Sequence, residues 1–157
     1  LLYAAAQTEC SGILILLDPE DTCPRQEAFD LATQIHELHL IFPVAIVFAH
    51  REYEAWFLAR LATLSGKCDL EDQLVYDENV EQRRGVKEWL STHMKKQPYP
   101  KRYKETLHQE ALTKHIDINL AITRSRSFQR LVHAIQELIE MAETTQMGYV
   151  TPHMPAK

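Results

Sequence analysis

What most constrains this chain is a pair of short runs in which every residue is apolar, Ile13-Leu14-Ile15-Leu16-Leu17 after Gly12 and Val44-Ala45-Ile46-Val47-Phe48-Ala49 after Pro43. A strand wetted on one face alternates apolar and polar residues, so an unbroken run suits a strand covered on both faces. Between the runs, Pro24 follows Thr22-Cys23 as a first-turn proline behind a threonine cap, and Ala28, Leu31, Ala32, Ile35 and Leu38 recur at helical spacing. Two buried strands joined by an amphipathic helix predict a parallel βαβ unit with a right-handed crossover. The fold class expected is α/β, a small parallel sheet flanked by helices.

The rest of the chain reads as mainly helical. His50 to Glu54 opens a helix directly from a strand end, with Trp56, Phe57, Leu61 and Leu64 inward and Gly66 as its stop. Residues 69–79 are polar and acidic, a loop. A helix over 80–96 turns Val86, Trp89, Leu90 and His93 to the core, and Pro98 and Pro100 break the pattern. A shorter helix over 104–114 follows. Asp117 caps a short turn through Ala121, and Ser125 or Ser127 caps a last helix whose stripe is Phe128, Leu131, Val132, Ile135, Leu138, Ile139 and Ala142. Residues 1–143 are expected to form one domain, and 144–157, with Gly148, Pro152 and Pro155, a flexible tail. Leu1 to Thr8 has helix-forming composition, and without an initiator methionine it reads as the continuation of something upstream, so that the N-terminal part of the fold is expected to be missing.

Composition removes several function classes. The 157 residues are 45% hydrophobic, enough for one core, yet no stretch approaches the roughly 20 apolar residues that span a bilayer. Cys10, Cys23 and Cys68 are odd in number and far apart, which argues against a disulfide framework or zinc ribbon and for a reducing cytoplasm. With four glycines there is no phosphate-cradling G-x-x-x-x-G-K loop, no G-x-G-x-x-G and no G-x-S-x-G elbow. His36 and His39, spaced to chelate along a helix, have no third ligand nearby.

The net charge of -5 conceals a strong asymmetry. Residues 1–82 carry 15 acids and 4 bases, whereas residues 83–130 carry 12 bases and 4 acids. A basic second half suits a polyanionic partner, and it also suits two oppositely charged wet faces of one fold. In parallel sheets ligands bind beyond the carboxyl ends of strands, and both strand ends here carry acids: Asp18, Glu20 and Asp21 after the first, Glu52 and Glu54 after the second. Crowded carboxylates need cations, and magnesium, with its preference for oxygen ligands and a substrate phosphate, is the economical one. Asp18 is the first-choice ligand and Glu20 the second; Asp21 either joins them or caps the following helix. Glu54 precedes Phe57 and Leu58 by three and four residues and so faces partly inward. In the basic segment, Arg83, Lys87, Lys104 and Arg126 are the candidate phosphate contacts, with Tyr99 and Tyr103 interleaved, while Lys95-Lys96 and Lys101-Arg102 beside prolines read as solvated.

Several blocks together resemble a bacterial family known as domain of unknown function 4276: Gly12-Ile-Leu-Ile-Leu-Leu-Asp-Pro-Glu-Asp-Thr-Cys-Pro24, Ala49-His-Arg-Glu-Tyr-Glu-Ala-Trp-Phe-Leu-Ala59, Arg84-Gly-Val-Lys-Glu-Trp-Leu90, Tyr103-Lys104 with His108-Gln109, Asp117, and Ser125 to Phe128. The resemblance spans about Gly12 to Ile139. It implies a Toprim-like fold, in which an Asp-x-Asp element at a strand end holds magnesium; here the element is Asp18-Pro19-Glu20, with a longer second acid. The glutamate that such enzymes carry after an earlier strand has no counterpart downstream of Leu1. Glu52 and Glu54 match the family's Glu-Tyr-Glu-Ala-Trp block, and Gln109 and Asp117 are secondary candidates. Read together, these features lead to the expectation of a magnesium- or manganese-dependent phosphoryl-transfer protein, a nuclease in a bacterial defence or mobile-element module, with Asp18, Glu20 and Glu54 as its catalytic acids. The alternative is a non-catalytic binding or regulatory subunit that docks an ATPase partner.

Overall fold

The structure, a computed structural model, describes residues 10–19, 22–144 and 148–152. The helix expected over Leu1 to Thr8 and the acids Glu20 and Asp21 lie outside the described residues. The chain divides into two compact units, one made of residues 1–49 and 130–157, the other of residues 50–129.

The first unit is the α/β one. Strand β1 (Ile13–Leu17), helix α1 (Pro24–His36) and strand β2 (Val44–Phe48) form the expected unit, with β1 and β2 parallel and Ile13 to Leu17 registered on Val44 to Phe48. Strand β3 (Val150–Thr151) pairs with β2, again in parallel, giving the order β1-β2-β3. This corrects the expected flexible tail: Val150 and Thr151 belong to the sheet, where Val44 N–H donates to the Tyr149 carbonyl at 2.8 Å. The two apolar runs, alike in sequence, differ in burial. All five β2 residues are buried, whereas Leu14 and Leu17 of β1 are 37% and 41% exposed. Among the described residues β1 has one strand neighbour and β2 has two, and a central strand is covered where an edge strand is not.

One sheet face packs on α1 through Ala28, Ala32 and Ile35, together with Phe42. The other packs on helix α7 (Arg126–Glu143), whose Leu131, Ala134 and Leu138 meet Ala45 and Val47. A Cβ on Gly12 would stand 3.2 Å from the Leu138 side chain, so this glycine permits the close approach of α7 to the start of β1. Ile135 and Ile139, expected in the buried stripe, are 36% and 52% exposed. Cys23, not Thr22, occupies the cap position of α1, without a side-chain hydrogen bond, and Pro24 supplies the preset first turn.

The second unit is built from short helices: α2 (Ala55–Ala59), α3 (Leu61–Leu64), a 3₁₀ turn (Val80–Gln82), α4 (Val86–Thr92), a π-helical turn (Glu105–Gln109), α5 (Glu110–Thr113) and α6 (Ile118–Arg124). Its core joins Phe57, Leu58, Leu61, Leu64, Leu70, Val80, Val86, Leu90, Met94 and Leu112. Trp56, Phe57, Leu61 and Leu64 are buried as expected. The single helix expected over 80–96 is instead two elements separated at Arg83 to Gly85, because Gly85 sits at φ +64°, a left-handed conformation incompatible with continuing a helix. His93 stacks on Trp89, ring centroids 3.8 Å apart. Asp117 caps α6 by accepting from Leu120 N–H, and Ser125 caps α7 by accepting from Phe128 N–H at 3.1 Å. Among the described residues no helix is long and apolar enough to cross a membrane.

Candidate functional site

Asp18 stands where the βαβ pattern directs it. The Ala49 N–H donates to the Leu17 carbonyl at 2.8 Å, so the parallel ladder persists to the last residue of β1 and releases the chain at its carboxyl end with Asp18 exposed. Beside it lies a cavity of about 360 Å³ lined by Asp18, by Glu27 and Asp30 of α1, and by Leu17 and Phe48. Glu27 lies in the first turn of α1, where the positive end of the helix dipole favours an acid. Three carboxylates thus border one recess at a strand's carboxyl end. Among the described residues no group of three or more His, Cys, Asp or Glu converges closely enough to hold an ion by itself. Glu20 and Asp21, expected to join Asp18, lie outside the described residues.

The second unit contains a different acidic centre. Glu54, at the start of α2, is fully buried. Its Oε1 accepts from the Tyr103 hydroxyl at 2.8 Å and from Gln109 Nε2 at 3.1 Å, whereas Oε2 is buried without a hydrogen-bond partner and faces the Lys87 ammonium at 4.0 Å. Burial pushes the Glu54 carboxyl above its ordinary range; the Tyr103 hydrogen bond, Lys87 and Gln109 pull the other way. Burial and the neighbouring carboxylate likewise push the Tyr103 hydroxyl far up, so the phenol remains a donor. Lys87 also pairs with Glu105, whose hydrogen bond holds the ammonium above its usual value. The π-turn over Glu105–Gln109 presents Gln109 to Glu54, and Thr113, one turn later, shares a 2.9 Å hydrogen bond with Tyr53.

The remaining candidates have structural partners or stand apart. Glu52 Oε1 accepts from the N–H groups of Gly85 and Val86 at 2.9 and 3.2 Å, capping α4 from 33 residues away. Glu81, which no sequence signal marked, does the same for α7 by accepting from Ser127 N–H at 2.6 Å and the Ser125 hydroxyl at 3.1 Å. Asp117 caps α6 and lies 4.0 Å from Arg60. Arg83 is half-buried, with an unpartnered buried Nε. Lys104 and Arg126 are exposed. Of the four predicted phosphate contacts, Lys87 alone belongs to the Glu54 centre.

A family model described as Domain of unknown function (DUF4276) matches residues 5–136. No curated protein and no solved structure gives a significant match.

Proposed function

The chain belongs to the family described as a domain of unknown function 4276, and on that premise we propose that it is a divalent-metal-dependent phosphoryl-transfer protein acting on nucleic acid, with a Toprim-like sheet. The observation that carries this reading is the exposed Asp18 at the carboxyl end of β1, beside a recess bordered by Glu27 and Asp30. Asp18, with Glu20 and Asp21 next to it in sequence, would hold magnesium or manganese. A bound ion would neutralise phosphate oxygens and make water more acidic. Glu54 cannot touch a substrate without movement, since it is fully buried; within the helical unit it positions Lys87, whose ammonium suits a phosphate oxygen of bound nucleic acid. Three free cysteines suit a reducing, cytoplasmic setting.

The test is hydrolysis of single- and double-stranded nucleic acid by the full-length protein with magnesium or manganese, compared with Asp18→Ala and Glu20→Ala. Loss of at least about 100-fold in both variants is expected, of the order seen when a transition-state charge stabiliser is removed. Equal rates in all three proteins overturn the assignment.

One observation favours the alternative, a binding or regulatory subunit serving a larger ATPase-containing complex. The acids of the helical unit already have structural work: Glu52, Glu81 and Asp117 cap helices, and Glu54 is closed from solvent. This reading predicts nucleic-acid binding that is salt-sensitive and metal-independent, with neither heat nor a change in thermal stability on adding magnesium.

A further inference from the structure

The helical unit contains a cleft of about 730 Å³ between α4 and the segment leading to Tyr103, bordered by Lys87, Lys96, Lys101, Arg102, Pro100 and Tyr103. The geometry points to this cleft as a binding site for single-stranded nucleic acid. Four cations line it against a single acid, Glu88. Lys87 is paired with Glu105 and Lys101 with Asp69, the latter at 2.5 Å. Lys96 and Arg102 are exposed and, among the described residues, have no carboxylate partner. Their charge is therefore left for an external anion, and phosphate is the anion that a guanidinium and an ammonium both suit.

The wall is built in advance of any ligand. Tyr103 is anchored twice, its hydroxyl donating to the buried Glu54 and its N–H donating to the Ser91 hydroxyl at 3.2 Å. That double anchor fixes the backbone carrying Lys101 and Arg102 against α4, so binding need not first order it. The apolar lining supplied by Pro100 and Tyr103 suits sugars and bases, while the lysine and arginine heads suit the backbone. Tyr99, next to Pro100 in sequence and not itself part of the cleft lining, is 77% exposed and leaves aromatic surface on which a base can stack. An acidic peptide would use the cations and leave this ring idle. A duplex would hide the base faces the ring needs. An unpaired strand uses both.

This inference deepens the reading above by naming the form of the substrate, and it takes nucleic acid as the ligand from that reading. Its test therefore measures binding alone, in EDTA, so that a failed hydrolysis assay leaves it standing. Fluorescence anisotropy of a labelled single-stranded oligonucleotide is followed with the full chain over a salt series. For Lys96→Glu/Arg102→Glu, affinity falls at least about tenfold and the slope of log affinity against log salt shrinks by about 1.4, near 0.7 for each cation lost. Tyr99→Ala weakens binding about fivefold or more with the slope unchanged, as loss of stacking without loss of charge requires. Both changes are at exposed positions, and an unaltered melting temperature checks that the fold is intact. Unchanged affinity in the double variant overturns the site. Equal binding of the matching duplex, or competition by poly-glutamate at equal charge, overturns the assignment to single strands.

Discussion

The two units use acids in opposite ways. In the sheet unit, Asp18, Glu27 and Asp30 border an open recess, with Asp18 set where a parallel strand ends. In the helical unit, Glu52 and Glu81 terminate helices and Glu54 is enclosed by Tyr103, Gln109 and Lys87. The difference follows from how each unit satisfies its backbone. Two of the sheet unit's strands satisfy each other's backbone groups along a ladder that ends at the exposed Asp18. Seven short elements in the other unit create many helix ends, each with unsatisfied N–H groups, and long-range carboxylates fill some of them. An acidic residue is thus a candidate for chemistry in the first setting and a structural acceptor in the second.

The same substitution placed in each unit breaks this comparison most forcefully. Leu58→Ala in the closed core of the helical unit is expected to cost about 2–5 kcal/mol, whereas Leu17→Ala on the half-open edge strand costs about 1 kcal/mol or less. Chemical denaturation of the two variants decides it; similar costs would mean that the sheet edge is as well covered as the helical core.

Removing the remote caps has a smaller effect. Glu52→Ala or Glu81→Ala strips an acceptor from a helix N-terminus and is expected to destabilise by about 1–2 kcal/mol, while Asp18→Asn, an isosteric change at an exposed position, is expected to shift the melting temperature less. Should Asp18→Asn prove the more destabilising, the division of labour between the units is wrong.

The smallest effect is a pH dependence confined to the helical unit. The folded-state carboxyl of Glu54 lies above its ordinary value of 4.5, chiefly from burial, so the folded protein retains that proton more tightly than the unfolded chain. Its contribution is complete below the ordinary carboxylate range and is lost as pH rises through the raised value. Glu54→Gln, which preserves an acceptor for Tyr103 and Gln109, is expected to flatten that loss in urea midpoints measured from pH 4 to 8. Parallel curves for the two proteins would show that Glu54 is ionised as freely inside as outside.

Much of the fold was legible from local pattern. The continuous apolar runs identified β1 and β2, and Pro24 with its following periodicity identified α1. The cap at Asp117 was readable, and that of α7 was narrowed to Ser125 or Ser127, because a cap bonds to a backbone group only three residues away. The break at Gly85 was harder, since a helical spacing of Val86 and Leu90 extends backwards through Val80 without revealing that one glycine is left-handed. Strand β3 left almost no trace, because two residues are too few to establish a period.

The site divides along the same line. Asp18 at a strand's carboxyl end follows from the βαβ pattern alone, and the family resemblance rests on blocks that the sequence displays in order. Only the tertiary structure decided that Glu54 is enclosed, that Glu52 and Glu81 are caps, and that Lys96 and Arg102, which read as merely solvated, line a cleft. The reason is physical. Periodicity and capping act over a few residues and leave a local imprint, whereas the Glu54 to Tyr103 hydrogen bond joins positions 49 residues apart, and whether a carboxylate is buried or a lysine faces a cleft depends on what the folded chain brings to it.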